Sequence, residues 1–172
     1  MGSKKSAMEY YASVAPGYDE LHGEEQLSKL NRLSAIVDFR DGDSVLDVGC
    51  GTGLLAGALS GKVGRIVGVD LSRAMAERGR RRRCGEFLVC DAEALPFRER
   101  AFDKVISFTV AQNLENPSRM LEEVGRVCRG TAALTVLKKW RSSEKFAELA
   151  GKFLKSCVTF EFGSDIFCVG NA

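Results

Sequence analysis

Short apolar runs bounded by turn residues alternate with segments of helical spacing along the middle of the chain. Five runs have the length and composition of strands: 44–48, 65–70, 86–90, 102–108 and 131–137. Between them apolar residues recur at intervals of three and four, and Ser72 and Asn116 are suited to capping helices. Because strands that alternate with helices form parallel sheets, this pattern predicts a doubly wound α/β core with helices on both faces.

The two ends of the chain depart from this alternation. The N-terminal part has two helical segments, 6–13 and 24–39, with a turn between them at 15–19. Near the C-terminus two strand-like runs, 157–162 and 165–169, flank a Gly-Ser turn and predict a hairpin. The 172 residues suffice for one domain, in which 1–40 form a helical part and 41–172 the α/β core. The sequence leaves open whether Met1-Gly2-Ser3 is native.

Composition narrows the class of protein. With 45% hydrophobic residues and a net charge of +2, the chain suits neither a polyanion binder nor a membrane-surface protein. It has no run of 18 apolar residues, and no apolar core follows the first residues as in a secretory signal. The six cysteines form no C-x-x-C pair and His22 is the one histidine, so we expect no metal site. Cysteines in apolar contexts favour a reducing, cytoplasmic location.

A glycine-rich loop joins the first predicted strand to a helical pattern. The strand at 44–48 leads into Gly49, Gly51 and Gly53, and apolar residues of helical spacing follow. Glycines allow a sharp turn and let a ligand lie against the main chain near a helix N-terminus. Asp70 ends the second predicted strand 19 residues beyond Gly51, about where a carboxylate accepts hydrogen bonds from a ribose. The arrangement therefore predicts a nucleotide-like ligand.

The spacing of the glycines distinguishes two kinds of cofactor. Dinucleotide-binding loops have the pattern G-x-G-x-x-G/A, whereas this loop has G-x-G-x-G, with Leu54 at the third dinucleotide position. Asp47, two residues before the first glycine, would repel a diphosphate and suits a cationic amino group. A nicotinamide-dependent oxidoreductase is therefore disfavoured, and the chain is also short for an added catalytic domain.

The stretch Val45-Leu-Asp-Val-Gly-Cys-Gly-Thr-Gly53 resembles motif I of the class I S-adenosylmethionine-dependent methyltransferases. The resemblance to their small ubiquinone/menaquinone-type subgroup runs from about Tyr11 to Leu137. It implies a seven-stranded Rossmann-like sheet of order 3-2-1-4-5-7-6 with strand seven antiparallel. The implied ligand site lies where strands one and four diverge. It also implies an enzyme that transfers a methyl group from S-adenosylmethionine by in-line displacement and leaves S-adenosylhomocysteine.

The resemblance extends to individual positions. Segment 91–97 matches the family's D-A-x-x-L-P-F, in which the aspartate and the next N–H meet the adenine. Segment 11–19 matches Y-x-x-x-A-x-x-Y-D, which in the family folds over the cofactor as a lid, so that residues 1–40 become a helical lid. The implied cofactor-binding residues are Tyr18, Asp47, Gly49, Cys50, Gly51, Gly53, Asp70, Leu71, Asp91, Ala92 and Phe108. An aromatic face such as that of Tyr18 attracts a sulfonium cation, although both tyrosines of the motif could simply pack a helix onto the sheet.

The acceptor side departs from the family pattern. Subgroup members often have a His-His pair after strand four, where this chain has Gln112 and Asn113. With Tyr11 they are the candidate substrate-binding residues, but neither amide is a general base near neutral pH, so no catalytic residue is nominated. Only 138–143 separate strand five from the next helix, where small-molecule methyltransferases commonly carry a covering insertion. The acceptor is left open among small molecules, RNA and proteins.

Two surface features bear on partners. The strand at 86–90 should be an exposed edge of the sheet, available for pairing with another chain. Some small methyltransferases of the family pair with a small zinc-binding activator, so such a partner, or self-association along this edge, is one hypothesis. A monomer acting on a diffusible acceptor and a non-catalytic binding module are the alternatives. The arginine run 80–83 suits a solvated helix end better than a nucleic-acid contact, since no aromatic residues interleave with it.

Overall fold

The computed structural model describes residues 4–172, so Met1, Gly2 and Ser3 lie outside the described residues. In this part of the chain seven strands form one sheet, in the order β3-β2-β1-β4-β5-β7-β6. The strands are β1 (Ser44–Val48), β2 (Arg65–Asp70), β3 (Glu86–Val89), β4 (Phe102–Phe108), β5 (Cys128–Leu137), β6 (Lys155–Phe162) and β7 (Asp165–Asn171). The first five are parallel, and β7 is antiparallel to both β5 and β6. The predicted order and the orientation of strand seven are confirmed.

Six α-helices connect or precede these strands in the described part of the chain. They are α1 (Lys4–Val14), α2 (Tyr18–Ser34), α3 (Leu54–Leu59), α4 (Arg73–Arg82), α5 (Pro117–Val127) and α6 (Ser143–Phe153). The side chain of Ser72 accepts from the N–H of Met75 and that of Asn116 from the N–H of Arg119, so both predicted caps are present. None of the described helices is long and apolar enough to cross a membrane.

The second N-terminal helix differs from its predicted span of 24–39. It begins at Tyr18, because a 3-10 turn over Ala15–Gly17 leads directly into it, with Pro16 in a position that tolerates the missing N–H. It ends at Ser34, and a hydrogen-bonded turn follows in which the N–H of Val37 donates to the carbonyl oxygen of Leu33 at 2.8 Å and Val37 is buried. The apolar spacing beyond Ser34 therefore reflects packing rather than helix.

Strand β5 begins at Cys128, three residues before its predicted start at Thr131. Helix α5 ends at Val127 and the chain becomes extended at once. A Cβ at Gly130 would lie 2.4 Å from the carbonyl oxygen of Asp103 on β4. Glycine is needed there because two strands approach closely, and not because the chain turns.

The sheet separates two hydrophobic clusters. Along β1, Val45 faces one cluster, which includes α2 and α3, while Leu46 and Val48 face the other, which includes α5 and α6. Gly79 of α4 lies against Phe87 on the same face as α2 and α3. Helices therefore cover both faces, as the alternating pattern predicted.

A buried ion pair fixes α2 to the end of the sheet. The ammonium of Lys29 lies 2.8 Å from Oδ2 of Asp165 at the start of β7, and these side chains are 3% and 0% exposed. The same oxygen accepts a hydrogen bond from the hydroxyl of Thr135 on β5 (2.7 Å). The carbonyl and hydroxyl oxygens of Thr135 accept from the N–H of Thr109 at 3.0 and 3.1 Å. The network thus reaches from the N-terminal helices to the loop after β4.

Candidate functional site

A cleft lies at the carboxyl ends of β1, β2 and β4. Its walls come from α1, the glycine loop, the end of β2, the segment after β3 and the loop after β4. The predicted site residues that line it are Tyr11, Tyr18, Gly49, Gly51, Asp70, Leu71, Asp91, Ala92, Phe108 and Asn113. Residues far apart in the sequence thus converge on the edge where ligands bind in open α/β sheets.

The glycine loop turns sharply at the floor of the cleft. Gly49, Gly51 and Gly53 all have positive φ, at 76°, 53° and 75°. The N–H groups of Gly49 and Cys50 both donate to the carbonyl oxygen of Val69, at 2.8 and 2.9 Å, which folds the loop back onto β2. A Cβ on Gly49 would lie 2.2 Å from Cγ2 of Val110, so the loop leaves no room for a side chain there.

Asp70 holds the loop to the end of β2. Its Oδ2 accepts from the N–H of Gly51 at 2.9 Å, and its Oδ1 accepts from the N–H of Ser72 at 2.8 Å. Burial raises the pKa of this carboxyl, while the two backbone donors act in the opposite direction. A carboxylate has about four lone-pair sites, so Asp70 can still accept hydrogen bonds from a ligand in the cleft.

Asp47 lies below the floor and does not line the cleft. It is completely buried, and no hydrogen-bond partner of its Oδ2 is found among the described residues. Burial, followed by the charge of Asp70, raises the pKa of Asp47 to about 8. A carboxyl in this state favours a positively charged neighbour, which would lower its pKa.

Three other predicted site residues also lie outside the lining. The sulfur of Cys50 faces Gly68 of β2, 2.8 Å from where a Cβ would stand, and burial raises the pKa of its thiol. Gly53 lies against the ring of Phe87. Gln112 donates from Nε2 to the carbonyl oxygen of Thr109 at 2.7 Å, while its Oε1 is buried with no hydrogen-bond partner found among the described residues. Cys50 and Gly53 therefore act on a ligand only indirectly, because their main chain determines the shape of the glycine loop.

Aromatic side chains cover one end of the cleft. The rings of Tyr11 and Tyr18 are 6.4 Å apart, and His22 lies 4.9 Å from Tyr18. The ring of Tyr18 is 3.7 Å from where a Cβ of Gly51 would stand, so it lies over the glycine loop. Nδ2 of Asn113 donates to the hydroxyl of Tyr11 at 3.0 Å. Burial raises the pKa of both tyrosines, which keeps their hydroxyls protonated near neutral pH.

Asp91 marks the other end. Its Oδ1 accepts from the N–H of Glu93 at 3.0 Å, and its Oδ2 accepts from the ammonium of Lys4 at 2.7 Å. The hydrogen bond to Asp91 raises the pKa of Lys4, despite its partial desolvation. Lys4 belongs to α1, which also contributes Ala7 and Met8 to the cleft wall. Lys4 could not be singled out from the sequence, because a single lysine in an exposed helix is common.

A second group of residues that the sequence analysis did not single out joins the N-terminal helices to the glycine loop. The hydroxyl of Thr52 donates to Oδ1 of Asp19, and the guanidinium of Arg82 pairs with Oδ2 of the same residue. Nε of Arg82 also donates to the carbonyl oxygen of Thr52 at 2.7 Å. The arginine run is thus not wholly a solvated helix end. Among residues 4–172, no group of histidine, cysteine and acidic side chains could hold a metal ion.

Comparison with known proteins identifies a family that this chain matches and several proteins of similar sequence. A family model described as a methyltransferase domain matches residues 46–136. An uncharacterised protein of Methanocaldococcus jannaschii, MJ1252, is 38% identical over 73% of this chain and 49% of its own length. The demethylmenaquinone methyltransferase of Thermotoga maritima is 31% identical over 94% of this chain and 74% of its own. The chain spans about half to three fifths of the first three curated relatives it matches.

Solved structures agree in fold. The methyltransferase in a complex with the Haloferax volcanii Trm112 methyltransferase activator superposes with a TM-score of 0.79 at 20% identity, covering 94% of this chain and 97% of that one. Magnesium protoporphyrin IX methyltransferase of Synechocystis PCC 6803, determined with bound S-adenosylmethionine, gives 0.76 at 18% identity, covering 99% and 97%. At these identities the likeness concerns the fold alone.

Proposed function

Since this chain belongs to the methyltransferase domain family, and resembles its ubiquinone/menaquinone-type members, we propose that it transfers a methyl group from S-adenosylmethionine to a small molecule, RNA or protein. The observation that carries the proposal is the junction of Asp70 with the glycine loop. An acidic side chain at the end of β2 holds Gly51 by its N–H, 2.9 Å away, at the floor of a cleft. This arrangement offers a ribose both a carboxylate and an exposed main chain.

The residues present fit the cofactor. Gly49 and Gly51 have conformations and surroundings that exclude a side chain at Gly49 and leave main chain facing the cleft. Asp47 has a buried carboxyl oxygen without a hydrogen-bond partner among the described residues, as expected for a group that complements a cationic amino group. Asp91 and the N–H of Ala92 stand at the opposite end and would hold the adenine, while Leu71 and Phe108 flank the cleft.

S-adenosylmethionine supplies a methyl group already activated on a sulfonium. The chain therefore has to bind, orient and exclude water, and positioning alone can contribute ~7 kcal/mol or more to lowering a barrier. The ring of Tyr18 over the glycine loop suits a cation, and α1 covers the cleft as a lid formed within residues 1–40. Asn113 and Tyr11, already hydrogen-bonded to each other, are placed to contact an acceptor, with Gln112 behind them. No general base is assigned.

A nicotinamide-dependent oxidoreductase is the less favoured function, because the loop lacks the third dinucleotide glycine. A partner-dependent or non-catalytic role has a specific observation in its favour. Strand β3 is an edge of the sheet, and its Leu88 and Val89 are 37% and 43% exposed. One structural neighbour was determined with a methyltransferase activator. We infer that this edge can pair with a small protein or with a second copy. A cytoplasmic location stays a prediction from the cysteines.

The function is tested with methyl-labelled S-adenosylmethionine and a cell lysate fractionated into small molecules, RNA and protein. We expect label in one fraction and stoichiometric release of S-adenosylhomocysteine. Asp70→Ala should abolish both, since it removes charge-assisted hydrogen bonds of ~1.5–3 kcal/mol each. Absence of transfer to every fraction, with the cofactor bound, would favour the non-catalytic alternative.

Pairing along the exposed edge of β3 is tested by a separate measurement. Light scattering of the purified chain, compared with a Val89→Lys variant, separates a monomer from a copy paired along β3. Lysine on an edge strand opposes pairing, so self-association should disappear in the variant. A wild-type monomer whose full activity needs no added protein would rule out both forms of the hypothesis.

A further inference from the structure

The segment at residues 91–97 presents Asp91 and Ala92 to the cleft, yet it has no regular secondary structure. Its first half is held by its own turn, in which the N–H of Ala94 donates to the carbonyl oxygen of Asp91 at 3.0 Å and that of Glu93 to Oδ1 at 3.0 Å. Such a turn fixes the shape of the segment. The start of the segment is anchored separately, because the N–H of Cys90 donates to the carbonyl oxygen of Asp70 at 3.0 Å and the ammonium of Lys4 donates to Asp91 at 2.7 Å.

The second half of the segment, residues 95–97, is held by two charged side chains of α5. Oε2 of Glu123 accepts from the N–H of Leu95 at 2.7 Å. The guanidinium of Arg126 donates to the carbonyl oxygens of Leu95 at 2.9 Å and Phe97 at 2.6 Å. Three main-chain groups of a loop are thereby satisfied by one pair of side chains, and Leu95 itself is buried in the core.

The geometry of the Glu123–Arg126 pair suits this contact with the loop. Nε and one terminal nitrogen of Arg126 each donate to a different oxygen of Glu123 at 2.8 Å, which is the bidentate geometry that arginine makes and lysine cannot. The hydrogen bond lowers the pKa of Glu123 and raises that of Arg126, so both are charged at neutral pH. Glu123 is only 8% exposed, and isolated burial of such a charge is costly.

A second pair on the same helix provides a comparison. Arg119 and Glu122 also stand three residues apart and interact at 3.1 Å, but their side chains are 58% and 46% exposed. Their side chains hydrogen-bond to each other and, among residues 4–172, to no main-chain group of segment 91–97. Stabilising α5 therefore does not require a buried pair directed at residues 95–97.

We propose that Glu123 and Arg126 are positioning residues that place Asp91 and Ala92 for selection of the adenine base. The inference rests on the proposed function. Because the turn from Asp91 to Ala94 is internally hydrogen-bonded, holding Leu95 at one end of the turn helps to orient the Asp91 carboxylate, which would receive the exocyclic amino group. Hypoxanthine has a carbonyl oxygen in place of that amino group and would face the carboxylate unfavourably. The pair thus contributes to the choice of base, together with the contacts that anchor the start of the segment.

The test is calorimetric titration of the full chain with S-adenosylhomocysteine and with its hypoxanthine analogue, S-inosylhomocysteine. We expect Arg126→Lys and Glu123→Gln to weaken adenine-ligand binding about tenfold, the effect of one charge-assisted hydrogen bond. Binding of the hypoxanthine ligand should change less, so that the preference for adenine shrinks. The matched controls Arg119→Lys and Glu122→Gln should leave both affinities unchanged.

Amide hydrogen exchange of the folded variants gives a second readout. Exchange at residues 92–97 should accelerate in Glu123→Gln, because the N–H of Leu95 loses a charged acceptor, while exchange in the β strands stays slow. A lowered melting temperature with an unchanged base preference and unchanged exchange at 92–97 would overturn the inference. If the wild-type chain binds neither ligand, the proposed function itself fails, a result distinct from failure of the variants.

Discussion

Replacing Asp47 by Asn should remove a pH dependence of stability built into the floor of the cleft. Asp47 is completely buried, its Oδ2 has no hydrogen-bond partner among residues 4–172, and its pKa is raised to about 8 by burial first and by the charge of Asp70 second. Asparagine has nearly the same shape and does not titrate. The variant therefore tests the electrostatics of the site with little change in packing.

The magnitude follows from linkage. An aspartate in the unfolded chain loses its proton near pH 4, whereas folded Asp47 keeps it to about pH 8. Between these values the native state binds one proton more than the unfolded state, so stability falls as pH rises, by about 1.4 kcal/mol per pH unit. From about pH 5 to about pH 7.5 this group alone costs about 3 kcal/mol, a large part of an ordinary stability of about 5–15 kcal/mol.

The assay is urea unfolding of wild type and Asp47→Asn across that range. As pH rises, the free energy of unfolding of the wild type should fall relative to that of the variant by about 1.4 kcal/mol per pH unit, which corresponds to one bound proton. The variant should be the more stable form above about pH 8. Asp41→Asn, at an exposed acid, is the control and should follow the wild type. Parallel pH profiles of wild type and Asp47→Asn would refute the assignment of a neutral, buried carboxyl.

Two further predictions concern the frame around the site. Asp165→Ala leaves the buried ammonium of Lys29 with Glu25, 2.7 Å away, as its carboxylate partner, and it removes the acceptor of the Thr135 hydroxyl. Urea unfolding should therefore show a loss of ~1–3 kcal/mol, whereas Glu161→Gln, which breaks an exposed pair, should cost less than ~1 kcal/mol. Gly49→Ala would place a Cβ 2.2 Å from Cγ2 of Val110 at a φ of 76°. Calorimetry should show at least a tenfold (~1.4 kcal/mol) loss of S-adenosylhomocysteine affinity, partly recovered by adding Val110→Ala.

The features that sequence predicted are those determined locally. Apolar runs bounded by turn residues placed all seven strands. The glycine loop could be located because its backbone conformation requires glycine at 49, 51 and 53. Its acidic neighbour Asp70 could be placed because parallel strands end at one edge.

Features that depend on distant contacts could not be predicted. Lys4 pairs with Asp91 across 87 positions of the sequence, and Asp19 pairs with Arg82 across 63 positions. No local sequence pattern indicates such pairs. The start of β5 at Cys128 was missed because a glycine such as Gly130 does not by itself show whether two strands approach closely there. The degree of burial could not be predicted either, so the sequence did not show that Asp47 lies below the floor of the cleft rather than in its lining.

Cofactor choice is the central claim, and one titration tests it most directly. The purified chain should be titrated in a calorimeter with S-adenosylhomocysteine and, separately, with NAD at the same concentrations. Saturable binding of S-adenosylhomocysteine in the micromolar range, with no heat of binding for NAD, is the predicted result. Saturable binding of NAD with none of S-adenosylhomocysteine would contradict the account.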